Sequence, residues 1–250
     1  MAIQRHLSKK ARKDPTGSIR VEKKYQNGIT PLINNFKGRV IQDFTHAWET
    51  GKIRSLEVGK LDPSKFYPHI DELAEQEIAK PAKKVVEKIV PMAYDQGQVF
   101  ASIQLGAPLE ERQRTWKSLA TLIENNQSEF KGFSEGEALR IKRIIGDGII
   151  QEKTLGQITR DIQAEFEMSQ DRAVKIINTE TMKAVNKGVM DRYKRAGLEP
   201  TGHGKIPPLH PRCRCTVITK LIDGILSLVW LAAADERVCP DCEALDGTVV

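Results

Sequence analysis

The sequence predicts an α+β protein, with a helical N-terminal half and a C-terminal domain of helices plus a small β-rich, cysteine-containing subdomain. Three observations carry this. Apolar residues recur at spacings of three and four from Leu32 to Tyr193, the mark of amphipathic helices. Proline and glycine then cluster between Pro200 and Pro211. All four cysteines lie beyond that cluster, in the last 38 residues, beside short β-branched runs.

The chain has 250 residues, 40% hydrophobic and 29% charged, enough for one large domain or two small ones. Composition divides it into a basic arm (1–24), a helical region (25–133) and a C-terminal domain (134–250). The net charge is +6, and the arm accounts for all of it, with eight Lys or Arg against two acids. Lys9, Lys10, Arg12 and Lys13 are its densest run and the candidate nucleic-acid contacts. Such an arm binds polyanions with little sequence selectivity, or serves as a solvated, flexible leader. No apolar segment follows it as a secretory signal requires, and no run approaches the roughly 20 apolar residues of a membrane span. These features point to synthesis in a reducing cytoplasm and to no membrane partner.

Thr30-Pro31 reads as an N-cap followed by proline in the first turn. Leu32, Ile33, Phe36, Val40, Phe44, Ala47 and Trp48 then face a core, and the helix ends near Gly51. A second helix carries Ile70, Leu73, Ala74, Ile78, Ala82, Val85, Val86, Ile89 and Val90. Pro81 and Pro91 are expected to kink or end it. A third spans 109–125, with Trp116, Leu119, Leu122 and Ile123 on one face. Ser134 and Glu137 form a capping box, which predicts a new helix there, broken by Gly146 and Gly148. Thr154 and Gln157 repeat the box ahead of Leu155, Ile158, Ile162 and Phe166. A last helix, 170–196, ends at a C-capping Gly197. The apolar stretch 221–234 reads as a buried helix or strand. Val217 and Ile218 suggest a short strand, and Asp246-Gly247 a turn into another. That final run, Thr248 to Val250, is short for a strand and suggests further chain.

The chemistry concentrates in two cassettes. Cys213 and Cys215 stand in HPRCRC, three and five residues after His210, and Cys239 and Cys242 stand in CPDC. Two closely spaced pairs suit a tetrahedral zinc site, drawn from four of these five residues. Buried reduced thiols and a redox pair also fit this spacing.

The segments NTETMKAVNKGVMDRYKRAGL (178–198), PPLHPRCRCT (207–216) and VWLAAADERVCPDCEALDGTVV (229–250) resemble the C-terminal domain of Mu F-like minor head proteins of tailed bacteriophages. The resemblance covers 134–250 and is most specific at the two cassettes. It implies a virion component near the portal vertex or capsid interior, acting in head assembly, DNA packaging or delivery. Its implied partners are the portal protein, the major capsid or scaffold protein, and packaged DNA through the basic arm. It implies structural roles for both cassettes and no turnover reaction. Family members place D-x-R-x-C-x-x-C before H-P-x-C-R-C, whereas here the order is reversed. Moving 229–250 to follow Leu198 restores the usual order. The two cassettes are therefore expected to be neighbours in space.

The competing reading is a zinc-dependent nucleic-acid-processing enzyme, with His203 or His210 and Glu180 at the metal. A helical Glu180 is more often solvated or ion-paired. Asp235 and Arg237 read as an ion pair bracing the cysteine turn. No P-loop, G-x-S-x-G, H-E-x-x-H or Rossmann glycine pattern occurs.

Overall fold

The computed structural model describes residues 14–53, 61–107, 116–202, 205–208, 210–211, 213–233 and 239–250. The expected α+β class holds. The order is α1 (Ser18–Glu49), a 3-10 turn (Pro63–Lys65), α2 (Tyr67–Ala74), a π-turn (Glu75–Ala79), α3 (Lys80–Leu105), α4 (Trp116–Ile150), α5 (Leu155–Arg195), β1 (Thr216–Ile222), β2 (Ile225–Leu231) and α6 (Pro240–Ala244). None of the described helices is long and apolar enough to cross a membrane.

The helices are longer than local punctuation predicts. Helix α1 starts at Ser18 and carries Pro31 inside it, so Thr30-Pro31 is not its beginning. Proline there forfeits one backbone hydrogen bond. Ile29, Ile33 and Phe36 are all buried around it, and their burial offsets that loss. The expected arm is accordingly helical from Ser18, with Val21, Glu22 and Tyr25 buried. Asp14 caps the start, accepting from the Ser18 amide at 2.8 Å and the Ile19 amide at 3.1 Å. Pro91 lies inside α3 without ending it, and Pro81 follows the π-turn. A wider turn there is what proline demands, since Pro81 cannot donate to the Glu77 carbonyl and its ring crowds that oxygen.

Helix α4 runs through Ser134 without a break. The capping-box reading of Ser134 and Glu137 is therefore incorrect. The Ser134 hydroxyl turns back on the Lys131 carbonyl at 2.9 Å. Glu137 is fully buried and takes both guanidinium prongs of Arg172 at 3.0 Å, one from Arg140 at 2.8 Å, and the Ser169 hydroxyl. Gly146 and Gly148 do not break α4 either. A Cβ at Gly146 would lie 2.7 Å from the Tyr67 hydroxyl, and one at Gly148 would lie 2.6 Å from Ile158 Cγ1. These glycines serve close packing. The second box is a true cap: the Thr154 amide donates to Gln157 Oε1 at 2.8 Å, and the Gln157 amide returns to Thr154 Oγ1 at 3.3 Å. The two expected C-terminal helices are one, α5. It closes at Gly197 (φ 78°), with Leu198 N–H donating to the Tyr193 carbonyl and Gly197 N–H to that of Lys194.

Contacts divide the chain into two compact units. One comprises Gln26–Val86 and Asn125–Val174. Its core includes an edge-on Phe36–Phe166 pair, Phe44 against Phe66, and Ile70, Ile141, Ile145, Ile158 and Ile162. The Glu137 cluster belongs to it, and a buried carboxylate stripped of its main partner is costly. Arg172→Met is expected to destabilise the protein by about 3 kcal/mol, the low end because Arg140 and Ser169 remain. A urea titration measures this. Adding Glu137→Leu should recover most of the loss, and no recovery would show that the charge pair is not the cause.

The other unit comprises Met1–Tyr25, Glu87–Glu124 and Lys175–Val250. Here α3 and α5 touch backbone to backbone at Gly97 and Gly188. Within the stretch 221–234, residues 221–231 are the end of β1, a turn and β2, so the strand reading holds there and the helix reading does not. Strands β1 and β2 form an antiparallel hairpin, with Thr216 opposite Leu231 and Ile222 opposite Ile225. The turn is Asp223-Gly224, with φ of 49° and 81°, the two positive values of a type I′ turn. Val249 bridges to Val229 on the other side of β2.

Candidate metal centre

Helix α5 holds the first cassette in place. Asn186, almost fully buried, donates from Nδ2 to the Cys215 carbonyl at 3.0 Å and accepts the Thr216 hydroxyl at 2.7 Å. Two turns further on, the Tyr193 hydroxyl donates to the Val217 carbonyl at 3.3 Å. Cys213 and Cys215 thus enter β1 from a backbone pinned to the long helix, and both are buried.

The hairpin then carries the chain back to the second cassette. After β2, the Ala232 amide donates to Asp246 Oδ1 at 2.9 Å, and the Gly247 amide to the Trp230 carbonyl at 2.8 Å. These bonds hold α6 beside the strands. Cys239 is the N-cap of α6, with Pro240 at the first helical position. Its sulfur accepts from the Cys242 amide at 3.4 Å, which turns both sulfurs to one side. Cys242 is fully buried.

The two cassettes meet at Cys242. Cys213 Sγ lies 3.8 Å from Cys242 Sγ, and His210 Nε2 lies 3.1 Å from the same sulfur. Two groups of three ligand atoms result, one from His210, Cys239 and Cys242, the other from Cys213, Cys215 and Cys242. Within each group the ligand atoms lie within 4.8 Å of one another. All five sequence-predicted residues are therefore brought together, across two cassettes distant in the chain. His210 Nδ1 is 2.9 Å from the Pro211 carbonyl, an acceptor only, so Nδ1 carries the proton. That leaves the Nε2 lone pair facing Cys242, the arrangement of a metal-binding histidine.

Burial, and then Cys213, push the Cys242 thiol up to about 12. The Cys215 thiol is also raised, first by its hydrogen bond with Cys213 and then by burial. Clustered buried sulfurs cannot all be thiolates by themselves. A divalent ion reverses that balance by neutralising the charge they would carry. This buried Cys/His cluster can hold a metal ion. Among the described residues, none of the four cysteines is in a disulfide.

The other sequence-predicted groups are not brought here. Lys9, Lys10, Arg12, Lys13, His203, Asp235 and Arg237 lie outside the described residues. Glu180 is buried on α5 and ion-paired with Lys183 at 2.5 Å. Sequence reasoning missed three supporting residues. Asn186 carried no signal, being one polar residue on a long helix. Asp246 was read only as part of a turn. Arg214 did carry one: between two cysteines in extended chain it must point the opposite way.

Compared with known protein families, curated proteins and solved structures, the chain matches none. Function must be argued from the site.

Proposed function

We propose that the protein is a structural minor head protein of a tailed bacteriophage, of the Mu F-like type, whose C-terminal cassettes are closed around zinc. The observation that carries this reading is the meeting of His210, Cys213 and Cys215 with Cys239 and Cys242. These are the two cassettes on which the family resemblance rests, and their reversed order along the chain makes such a meeting a demanding expectation.

Chain connectivity adds support. The Val250 carbonyl accepts from the Thr201 and Gly202 amides at 2.7 and 2.8 Å. The segment 229–250 thus ends beside the point where it would be joined if it followed Leu198.

The donor set favours zinc in a structural role. With Zn–S bonds of about 2.3 Å, two sulfurs on a regular tetrahedron are about 3.8 Å apart. Cys213 and Cys242 already have that separation. Sites dominated by thiolates and closed by four protein ligands brace a fold, whereas catalytic zinc keeps a position open for water. Zinc would tie the strand start at Cys213 and Cys215 to α6.

In this reading the protein sits at the portal vertex or capsid interior and contacts the portal protein and the capsid or scaffold protein. Lys9, Lys10, Arg12 and Lys13 would touch packaged DNA. Metal analysis of freshly purified, reduced protein should find about one zinc per chain. A content near zero would sink the zinc assignment. Cross-linking within purified particles should join this chain to the portal protein. Its absence from particles would sink the virion role.

A further inference from the structure

Arg214 separates the two cysteines of the first cassette and faces away from them. The Cys213 and Cys215 sulfurs join the cluster, whereas the Arg214 side chain leaves it for another partner. Its guanidinium meets Glu22 two-pronged, Nη2 to Oε2 at 2.8 Å and Nε to Oε1 at 3.3 Å. The partners are 192 residues apart in the chain, and their side chains are only 12% and 3% exposed. Burial pushes the Glu22 carboxyl above its ordinary value, and Arg214 brings it only part of the way back.

Glu22 stands on a firm base. It lies in the second turn of α1, whose first turn is capped by Asp14. The Ser18 hydroxyl reaches both Asp14 at 3.1 Å and Glu22 at 3.4 Å. Gln96 of α3 donates to the Thr16 carbonyl at 2.8 Å, fixing the preceding turn. A paired buried carboxylate is an expensive way to add stability, since apolar packing of the same volume does as well or better. Planar, two-pronged pairing with arginine does supply a fixed direction. For a C-x-C pair, direction is what matters. A rotation of the backbone at Arg214 would move both flanking sulfurs.

We propose that Glu22 is a positioning residue of the metal centre, acting through Arg214 to hold the Cys213 and Cys215 sulfurs at the spacing the ion requires. The proposal rests on the zinc reading above. It gives the N-terminal helix a role in a site otherwise built entirely from the C-terminal half.

The test uses the full chain, with zinc affinity read by chelator competition and ligand geometry by the visible spectrum of the cobalt(II)-loaded protein. Glu22→Gln keeps the shape and removes the charge. Its zinc affinity should fall about 10-fold or more, as for other outer-shell partners of metal ligands. Its cobalt bands should shift. Metal-free stability should fall as well, because Arg214 loses its buried partner, and the affinity loss should exceed what that stability loss accounts for. Arg214→Lys, which keeps the charge and loses the two prongs, should behave alike. The exchange of Glu22→Arg with Arg214→Glu should restore most of the affinity. Glu22→Gln and Arg214→Lys both binding zinc within twofold of the wild type would overturn the proposal. So would an affinity loss matched by an equal loss of metal-free stability. A wild-type protein that takes up neither metal would instead refute the zinc reading itself.

Discussion

In the zinc reading proposed above, Cys242→Ser is expected to leave the cluster empty. Cys242 is the one residue common to both groups of three donors, and it is fully buried between them. A serine hydroxyl is a far poorer zinc ligand than a thiolate, and its oxygen falls short of where the sulfur stood. Among the described residues no group of three close donors forms without it, since His210 and Cys239 on one side and Cys213 and Cys215 on the other are joined through this sulfur. Zinc content should fall from about one per chain to about a tenth or less. The metal's contribution to stability should vanish with it. Chelator should lower the melting temperature of the wild type and leave that of the variant unchanged. Cys239→Ser and His210→Ala should be milder, since each residue belongs to one group only and the other can supply the fourth ligand. Stoichiometric zinc in Cys242→Ser would remove the centre as drawn.

Gly188→Ala is expected to be severely destabilising, and so is Gly97→Ala. A Cβ at Gly188 would stand 2.1 Å from the Tyr94 carbonyl oxygen, and one at Gly97 would stand 1.9 Å from that of Val185. In each case the obstacle is helix backbone, which cannot rotate away as a side chain does. The helices must separate, which undoes the packing of Tyr94, Val185 and Val189, all buried at the crossing. A loss of about 4 kcal/mol or more is expected, in the range reserved for core disruption. The metal centre should suffer too, because Asn186, which clamps Cys215, is two residues from Gly188. Denaturant titration of Gly188→Ala measures the loss. Gly132→Ala and Gly156→Ala are the controls. Both glycines are helical with open space where the Cβ would go, so alanine there should add up to about 1 kcal/mol. Equal behaviour of Gly188→Ala and these controls would show that the close crossing does not exist.

Much of the architecture was legible because its causes are local. Helical spacing located the long helices, and the reciprocal Thr154–Gln157 bonds and the Gly197 cap formed where the pattern put them. The errors share one cause. Ser134 and Glu137 have the letters of a cap, yet Arg172, 35 positions on, claims the carboxylate and keeps the helix running. Pro31 and Gly148 look like breaks, yet burial of their neighbours outweighs a weakened turn. The Asp223-Gly224 dipeptide, by contrast, is a local hairpin signal, and the turn forms there.

The kind of donor atom, and the pairing of Cys213 with Cys215 and of Cys239 with Cys242, follow from short-range spacing, whereas His210 leaves its own cassette to group with Cys239 and Cys242. Their convergence on Cys242 was decided only in three dimensions. It depends on a hairpin register, an asparagine on a distant helix and a carboxylate near the other end of the chain. Each of these is a long-range contact that local spacing does not encode.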